Sequence, residues 1–453
     1  MKIKDIVKAT GGKLIKGNPN TPVEKLSIDS RTIPKDALFI AIKGERFDGH
    51  DFIKKALKKG AIGVIVSKLS LVTSHQSPVT IQVKDTIKAL GDIARHRRVS
   101  SKTKVIAITG SNGKTTTKDI LASILKKNST VLSTRNNENN NIGLPLTMLR
   151  LKKEKFCVLE MGMNHFGEIE YLTKIALPDI GVITNIGPSH LEYLGSIEDV
   201  FKAKCELIEN MDKGKILVIG GDDPYLNRIK KSNARVIKFG LRERNDFKAT
   251  SVRFVKGGWN FDVKGKYNIR LNLLGRHNIY NALAAVAVGE ILGLKIKDMQ
   301  SSIKRFKPVY GRLELKEIKG IRIIDDTYNS NPASLNHAIE ALTECETHGK
   351  RILVSGDMLE LGETSKYFHE SVAGVIKDSM IDMLITVGKN SRKTYLAAKK
   401  YGIKKDLKHF DKAEEAGRFL KNVTRRGDLV LVKGSRAMKM EGVIGCFTTS
   451  STR

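Results

Sequence analysis

At 453 residues the chain is longer than one ordinary hydrophobic core supports, which predicts two to four domains. Its composition, 40% hydrophobic and 28% charged, is typical of a globular protein, and the absence of any apolar run near the roughly 18 to 20 residues of a membrane span argues against a membrane-spanning protein. The formal net charge of +32 makes nucleic acid a candidate partner, but the lysines are scattered and aromatic residues are only 6%, so we expect no specific nucleic-acid function.

Residues 1–99 are predicted to form a small α/β domain. Two short apolar runs, residues 37–42 and 61–67, flank a helix-like stretch. The polar and basic stretch 95–104 is typical of a linker. The first residues, MKIKDIVKATGGK, include no apolar export segment, so we expect a cytoplasmic protein.

From Lys104 the chain repeats a pattern in which an apolar strand is followed by a helix. Near-continuous apolar runs are typical of parallel strands buried on both faces, which predicts a doubly wound, mostly parallel central sheet within residues 100–311. Residues 312–453 repeat this alternation of strand and helix and are predicted to form a Rossmann-like domain. The predicted central strands are KVIAITG (104–110), FCVLEMG (156–162), DIGVITNIG (179–187) and KILVIGGDD (215–223). The expected fold is therefore α/β with three domains.

A glycine-rich turn follows the first of these strands. In KVIAITGSNGKTTTK (104–118) the strand runs through the turn into a helix, where backbone N–H groups, the helix N-terminus and Lys114 can bind phosphate and a threonine hydroxyl can bind Mg²⁺. The usual phosphate-loop pattern has glycine where this chain has Ile108, so the glycine spacing is shortened. The context still predicts a nucleotide site. Its members are Gly110, Ser111, Asn112, Gly113, Lys114, Thr115 and Thr116.

Polar side chains follow further strands, and the pattern alone leaves their roles open. Glu160 ends a strand beside the phosphate loop, where a carboxylate could bind Mg²⁺ or cap a helix. His190 could be a metal ligand or a structural hydrogen-bonding group. Asp325 and Asp326 end a strand of the third segment and could bind ribose, bind a metal or cap a helix. Lys204 has the pattern of a charge on the solvated side of an amphipathic helix.

Several short stretches together resemble the Mur ligase family, whose phosphate loop has this shortened glycine spacing. Their order and spacing match in all three segments, so the resemblance covers essentially the whole chain. The stretches are ITGSNGKTT (108–116), TRNNENNNIGLP (134–145), LEMG (159–162), SHLE (189–192), GRHNIYNALAA (275–285), YGRLE (310–314) and DDTYNSNP (325–332). The chain departs from the family where GGDD (220–223) replaces a frequent N-x-D-D and where Ser111 replaces a frequent Thr.

The resemblance implies a role for each matching position. Lys114 would bind the β- and γ-phosphates of ATP. Thr115 and Glu160 would bind a first Mg²⁺, and His190 a second. Lys204 stands where the family has a carbamylated lysine, and addition of CO₂ would turn this cation into an anionic ligand of Mg²⁺. The remaining implied contacts are Asn278 and Asn281 with adenine, Arg312 and Asp326 with ATP, Asn137, Asn139 and Asn140 with the UDP-muramoyl group, and Ser30 and Arg31 with the uridine diphosphate end.

The resemblance also implies an activity. The stretches 27–52, 325–334 and 432–444 are most similar to those of family members that join D-alanyl-D-alanine to UDP-N-acetylmuramoyl-tripeptide through an acyl phosphate, in peptidoglycan precursor synthesis. The expected ligands are ATP, two Mg²⁺ ions and these two substrates, bound by a monomer. Two alternatives stay open: a ligase of the same superfamily with another acyl acceptor, and a basic nucleic-acid-binding protein that uses ATP as a switch. The third residue of the tripeptide, lysine or diaminopimelate, is also left open.

Overall fold

The computed structural model of the chain describes residues 1–44, 47–69, 77–229 and 234–448. Glu45 and Arg46, within the stretch 27–52, and residues 449–453, at the end of the expected third domain, lie outside the described residues. The strands form three sheets that follow one another along the chain. Among the described residues, no helix combines the length and the apolar character that crossing a membrane requires.

The first sheet is small and mostly parallel. Its strand order is β1-β5-β4-β3-β2, and only the pairing of β1 with β5 is antiparallel. The two predicted apolar runs are confirmed as the buried strands β3 and β4. The elements are α1 (Ile3–Thr10), β1 (Lys13–Lys16), β2 (Lys25–Ser27), β3 (Ala37–Ile40), α2 (Ile53–Lys58), β4 (Gly63–Val66), β5 (Thr80–Gln82) and α3 (Thr86–Val99).

The prediction of a linker at residues 95–104 is wrong for residues 95–99, because helix α3 extends to Val99. Arg98 is buried although the stretch is polar and basic. Its guanidinium donates to the carbonyl oxygens of Ala176 at 2.8 Å and Leu177 at 2.9 Å, and to Asp179 Oδ2 at 3.0 Å. A buried arginine is tolerated when its donors are paired. The arginine therefore fixes α3 to the part of the chain that forms the central sheet, which we call the central unit; the parts that form the first and third sheets are the first and third units.

The central sheet carries the predicted phosphate loop. All four predicted strands are confirmed, and the sheet order is β14-β13-β12-β11-β10-β9-β6-β8-β7. Pairing is parallel from β7 to β12 and antiparallel among β12, β13 and β14. The elements are β6 (Lys104–Thr109), α4 (Lys114–Lys126), β7 (Val131–Ser133), α5 (Gly143–Leu149), β8 (Phe156–Glu160), α6 (Glu168–Ala176), β9 (Ile180–Ile183), α7 (Leu191–Leu194), α8 (Ile197–Glu209), β10 (Ile216–Gly220), β11 (Arg235–Gly240), β12 (Phe247–Val255), β13 (Gly258–Val263), β14 (Tyr267–Leu271), α9 (His277–Ile291) and α10 (Ile296–Arg305).

Apolar side chains cover both faces of this sheet. Val105 and Ala107 of β6 belong to a core cluster that includes α6 and α8, whereas Ile106 and Ile108 belong to another that includes α4 and α9. Because side chains alternate across a strand, the continuous apolar run of β6 fills both cores. Ile108, which replaces the first glycine of the usual phosphate-loop pattern, is thus a fully buried strand residue.

The third sheet is parallel except at one edge. Its order is β15-β16-β20-β17-β18-β19, with β15 and β16 antiparallel. The elements are β15 (Glu314–Ile318), β16 (Ile321–Asp326), α11 (Pro332–Glu344), β17 (Arg351–Gly356), α12 (Ser365–Lys377), β18 (Met383–Val387), α13 (Arg392–Lys400), β19 (Asp406–Phe410), α14 (Ala413–Val423), β20 (Leu429–Lys433) and α15 (Glu441–Thr448). Strands alternating with helices in three successive sheets confirm the predicted α/β class.

Candidate active site

A cavity of about 970 Å³ lies where the carboxyl-terminal edge of the central sheet meets that of the third sheet. This edge is where open α/β sheets bind ligands, because the loops there leave a crevice. Most of the sequence-predicted site residues line the cavity. They are Ser111, Asn112, Gly113, Lys114, Thr115, Thr116, Asn137, Asn139, Asn140, Glu160, His190, Asn278, Asn281, Arg312 and Asp326.

The phosphate loop connects β6 directly to α4, as predicted. Gly110 and Gly113 have φ values of 141° and 82°, a region that favours glycine. A Cβ atom at Gly113 would lie 2.2 Å from Asn281 Oδ1, so the loop also needs glycine for close packing. The N–H groups of the first turn of α4 have no partner within the helix, which makes this end suitable for phosphate.

Lys114, the first residue of α4, lies over this loop. Its Nζ donates to the carbonyl oxygen of Gly110 at 2.7 Å. Burial lowers the pKa of Lys114, the carboxylate of Glu160 opposes that shift, and the charge of Arg312 adds to it. The partly buried ammonium group of Lys114 therefore has the cation Arg312 as well as the acid Glu160 nearby, and the two cations would attract an anionic phosphate.

Arg312 reaches the loop from the start of the third segment. Its Nη2 donates to Thr115 Oγ1 at 3.0 Å, and its guanidinium carbon lies 4.2 Å from the centre of the Tyr328 ring. Its Nε is buried and has no hydrogen-bond partner among the described residues. An arginine stacked on a ring keeps its donors in a fixed plane, which suits it to bind phosphate oxygens.

Glu160 ends β8 next to the phosphate loop, as the sequence predicts. Only 3% of its surface is exposed. Asn139 Nδ2 donates to Glu160 Oε1 at 2.8 Å, whereas Oε2 is buried and has no hydrogen-bond partner in the described part of the chain. A buried carboxylate oxygen without a partner is costly unless a cation binds it. This oxygen fits a Mg²⁺ ligand.

His190, at the N-terminus of α7, also lines the cavity. Its Nδ1 lies 2.7 Å from Oε2 of Glu360, and no other described residue pairs with this ring nitrogen. The contact with His190 lowers the pKa of Glu360. Sequence reasoning missed Glu360, because a contact between residues 190 and 360 leaves no local pattern.

Lys204 is not on the solvated side of its helix, so that interpretation of the pattern is wrong. Only 1% of its surface is exposed, and it lies within α8. Burial lowers its pKa well below the usual value, and the charge of Lys114 lowers it further. No carboxylate or other acceptor among the described residues pairs with its Nζ. An isolated buried ammonium is unfavourable, so the amine is expected to be neutral or chemically modified.

The side chains of this site suit Mg²⁺ better than a metal ion whose ligands all come from the protein. Among residues 1–44, 47–69, 77–229 and 234–448, no cluster of three histidine, cysteine or acidic side chains could hold a metal ion. Mg²⁺ commonly takes one or two carboxylates and completes its shell with water and phosphate oxygens. Glu160 with the hydroxyl of Thr115 fits this requirement.

Asn278 and Asn281, the two residues predicted to contact adenine, are hydrogen-bonded to each other. Asn281 Nδ2 donates to Asn278 Oδ1 at 2.8 Å, and Asn278 Nδ2 donates to the carbonyl oxygen of Leu274 at 2.7 Å. Thr117 Oγ1 of α4 donates to Asn281 Oδ1 at 3.2 Å. These bonds hold α9 against the phosphate-loop helix, and the role in adenine binding stays a prediction.

The third sheet contributes polar groups to the opposite wall. Asp326 accepts from Lys433 Nζ at 2.6 Å and from the backbone N–H of Leu313 at 3.2 Å. Asn331, which caps α11, donates from Nδ2 to Asn112 Oδ1 in the phosphate loop at 2.9 Å. Lys433 and Asn331 were not singled out from the sequence, although the N-P pair at the start of α11 is a helix-start signal. Asp325 accepts from Lys316 and does not line the cavity.

The asparagine loop after β7 is partly structural. Asn140 Oδ1 accepts from the backbone N–H groups of Ile142 and Gly143 at 3.2 and 2.9 Å, so it fixes the turn that leads into α5. Asn139 holds Glu160, as described above. The side chain of Asn137 lines the cavity and has no hydrogen bond within the described residues. Of the three, Asn137 has the most unused capacity for a substrate.

Four predicted site residues do not line the cavity. Gly110 accepts a hydrogen bond from Lys114, and Lys204 is buried within α8. Ser30 and Arg31 follow β2 in the first sheet, where Ser30 is buried and Arg31 is exposed and paired with Asp29 at 2.9 Å. Their role at the uridine diphosphate end stays a prediction.

Family comparison matches three consecutive parts of the chain. Residues 22–98 match the model "Mur ligase family, catalytic domain", and residues 108–289 match "Mur ligase middle domain". Residues 311–436 match "Mur ligase, glutamate ligase domain". The matches do not overlap, and together they cover most of the chain.

Individual relatives match nearly the full length. The UDP-N-acetylmuramoyl-tripeptide–D-alanyl-D-alanine ligase of Bacillus subtilis is 37% identical over 448 residues, 98% of this chain and 97% of that protein. The crystal structure of MurF from Acinetobacter baumannii has a TM-score of 0.91 at 32% identity and covers 99% of each chain. MurF ligase from Thermotoga maritima, solved in complex with ADP, has a TM-score of 0.84 at 32% identity and covers 93% of this chain and 96% of that one.

Proposed function

This chain belongs to the Mur ligase family, and we propose that it uses ATP to join D-alanyl-D-alanine to UDP-N-acetylmuramoyl-tripeptide. The observation that carries the proposal is the 37% identity with the Bacillus subtilis ligase of that name over 98% of the chain. The cavity supports it, because a phosphate loop with its lysine and a buried acid line the cavity where two sheet edges adjoin. The cytoplasmic location and the monomeric state stay predictions.

ATP is proposed to bind at the N-terminus of α4. The Thermotoga maritima relative was solved with ADP, and this chain has the loop geometry that phosphate binding requires. Lys114 and Arg312 would neutralise the β- and γ-phosphates. Bound Mg²⁺ would supply further neutralisation of the phosphoryl charge, held by Thr115 and Glu160 at one position and by His190 with modified Lys204 at another.

We further propose that Lys204 is carbamylated. The neutral amine attacks the carbon of CO₂ and loses a proton, which gives an N–H group bonded to a carboxylate. The lowered pKa of Lys204 supports this step, because only the unprotonated amine is a nucleophile. The product replaces a buried neutral amine with an anion, which the nearby charge of Lys114 would stabilise.

The reaction needs positioning and charge neutralisation and no covalent protein nucleophile. The carboxylate of the tripeptide attacks the γ-phosphorus, which gives an acyl phosphate and ADP. The amine of D-alanyl-D-alanine then attacks the acyl carbon, and phosphate leaves. Lys114 and Arg312 are already fixed by hydrogen bonds beside the α4 N-terminus, so little reorganisation is needed as charge moves to the transferred group.

A ligase of the same family with another acceptor is the nearest alternative. The test offers D-alanyl-D-alanine, single D-amino acids and single L-amino acids separately, with ATP, Mg²⁺ and the UDP-tripeptide carrying either lysine or diaminopimelate. We expect phosphate release above background only with the dipeptide. Release with a single amino acid and none with the dipeptide would identify the alternative, and the two tripeptides would settle the third residue.

A further inference from the structure

Glu360 is an acidic residue of the third unit that contacts the predicted metal ligand His190 in the central unit. It lies in the loop between β17 and α12, and its Oε2 is 2.7 Å from His190 Nδ1. The backbone N–H of Glu192 donates to the carbonyl oxygen of Glu360 at 3.1 Å. The two loops are therefore joined by both backbone and side chains.

Apolar side chains hold this contact in place. Met358 and Leu361, on either side of Glu360, are 1% and 2% exposed and share a core cluster with Leu191 and Leu194 of α7. Well-packed neighbours of this kind restrict where the carboxylate can lie. The position of Glu360 is thus determined by the interface between the units.

The backbone at both partners is unusual. His190 and Glu360 have φ values of 55° and 62°, in the left-handed region that residues other than glycine adopt only at a cost in free energy. Such conformations persist where the surroundings fix them. The fixed backbone conformation of the two loops therefore restricts the direction of both side chains.

The contact with Glu360 favours one of the two tautomers of the His190 ring. A neutral histidine carries a proton on one ring nitrogen and a lone pair on the other, and a carboxylate beside Nδ1 favours the proton there. The lone pair is then on Nε2. Histidines that bind metals commonly donate their other ring N–H to a carboxylate, which fixes the ring and increases its basicity.

We propose that Glu360 is a positioning residue for the second Mg²⁺: it holds His190 in the tautomer whose Nε2 can bind the ion. The proposal rests on the proposed function, since it assumes the metal role of His190. Because Glu360 belongs to the third unit, the metal site is complete only when that unit is docked on the central one. Metal affinity and docking of the two units are therefore coupled.

The test measures Mn²⁺ binding to the full chain by electron paramagnetic resonance, with ADP present and Mn²⁺ in excess of the nucleotide, so that the second equivalent is counted. Wild type is compared with Glu360→Gln, Glu360→Asp and the control Glu363→Gln, which alters an exposed acid three residues away. We expect Glu360→Gln to weaken the second equivalent by about tenfold or more. Glu360→Asp should recover part of the loss, and the control should match wild type.

Equal Mn²⁺ affinity in Glu360→Gln and wild type would overturn the proposal, whatever happens to stability. Fluorescence of Trp259, the only tryptophan of the chain, checks that each variant is folded. If wild type itself binds no second Mn²⁺ with ADP, the metal-dependent part of the proposed function fails and the positioning role fails with it. The ¹⁵N chemical shifts of the His190 ring give a second readout, because loss of the carboxylate should change the tautomer.

Discussion

Two lysines, the partly buried Lys114 and the fully buried Lys204, give the site its electrostatic character. Lys114 is held over the phosphate loop and has Glu160 as an opposite charge, whereas Lys204 has only the like charge of Lys114. Two ammonium groups in one buried region repel each other, and the group without a counter-ion is the one expected to lose its proton. Lys114 therefore keeps the role of a cation, and Lys204 is the group suited to modification.

Lys204→Ala is expected to lower kcat by about 10²-fold or more, because an anionic group would be lost beside a site of phosphoryl transfer. A short carboxylic acid such as acetate should restore part of the activity by occupying the space of the carbamate. Phosphate release measures both effects. Lys202→Ala, on the exposed side of the same helix, is the control and should remain active. Full activity of Lys204→Ala without added acid would refute the carbamate.

The strand, turn and helix formed by β6, the phosphate loop and α4 depend on glycine at the N-terminus of the helix. Gly113→Ala would place a methyl group 2.2 Å from Asn281 Oδ1 at a φ of 82°. The loop must then move, and its N–H groups would no longer converge on phosphate. We expect ADP to bind at least about tenfold more weakly, as measured by calorimetry.

Gly374→Ala is the matched control for that variant. Gly374 lies within α12, has open space around its Cα and has no positive φ. Alanine there should leave ADP binding unchanged and stabilise the protein by about 0.5 to 1 kcal/mol. Equal ADP affinity of Gly113→Ala and wild type would contradict the account of the loop.

Asp179 joins the first unit to the central sheet. Burial opposes its ionisation, but Lys215, the backbone N–H of Val105 and Arg98 outweigh that effect and lower the pKa of the carboxyl group. A lowered folded-state pKa means that the stabilisation is present above the ordinary value of 3.8 and is lost as pH falls through the folded-state value.

Asp179→Asn should reduce the free energy of unfolding by about 1 to 2 kcal/mol near neutral pH, a value reduced because the carboxylate is partly exposed to water. The difference from wild type should shrink as pH is lowered below 3.8. Urea unfolding monitored by the buried Trp259 measures it, with the exposed Asp212→Asn as control. A difference that stays constant on acidification would contradict the assigned ion pairs.

The molecule as a whole builds its site from segments that are distant in the chain. Arg312 donates a hydrogen bond to Thr115, and Asn331 donates one to Asn112. Glu360 contacts His190. The first two contacts join the phosphate loop to the third unit. The third contact joins the predicted metal site to the same unit. The net charge of +32 would also attract anionic substrates such as nucleotides from a distance.

The sequence predicted the parts of the site that local chemistry determines. The phosphate loop follows from a strand, a turn and a helix in direct succession, and Glu160 was singled out because it ends the next predicted strand. The pattern around Lys204 indicated a solvated lysine, and only the family resemblance indicated otherwise, because burial by distant segments is not a local property. Arg98 and Glu360 were missed for the same reason: their partners lie far away in the chain. The antiparallel strands β13 and β14 were also not predicted, because their alternating pattern does not continue the parallel rhythm.

The most direct test of the account is a ligation assay with purified protein, Mg²⁺, ATP, UDP-N-acetylmuramoyl-tripeptide and D-alanyl-D-alanine. Phosphate release is followed together with the mass of the UDP-linked product, and each component is omitted in turn. We expect one phosphate for each dipeptide added to the UDP-tripeptide, and neither product nor sustained phosphate release when any substrate is missing. Absence of the ligated product with all components present, in protein that binds ADP, would contradict the proposed function.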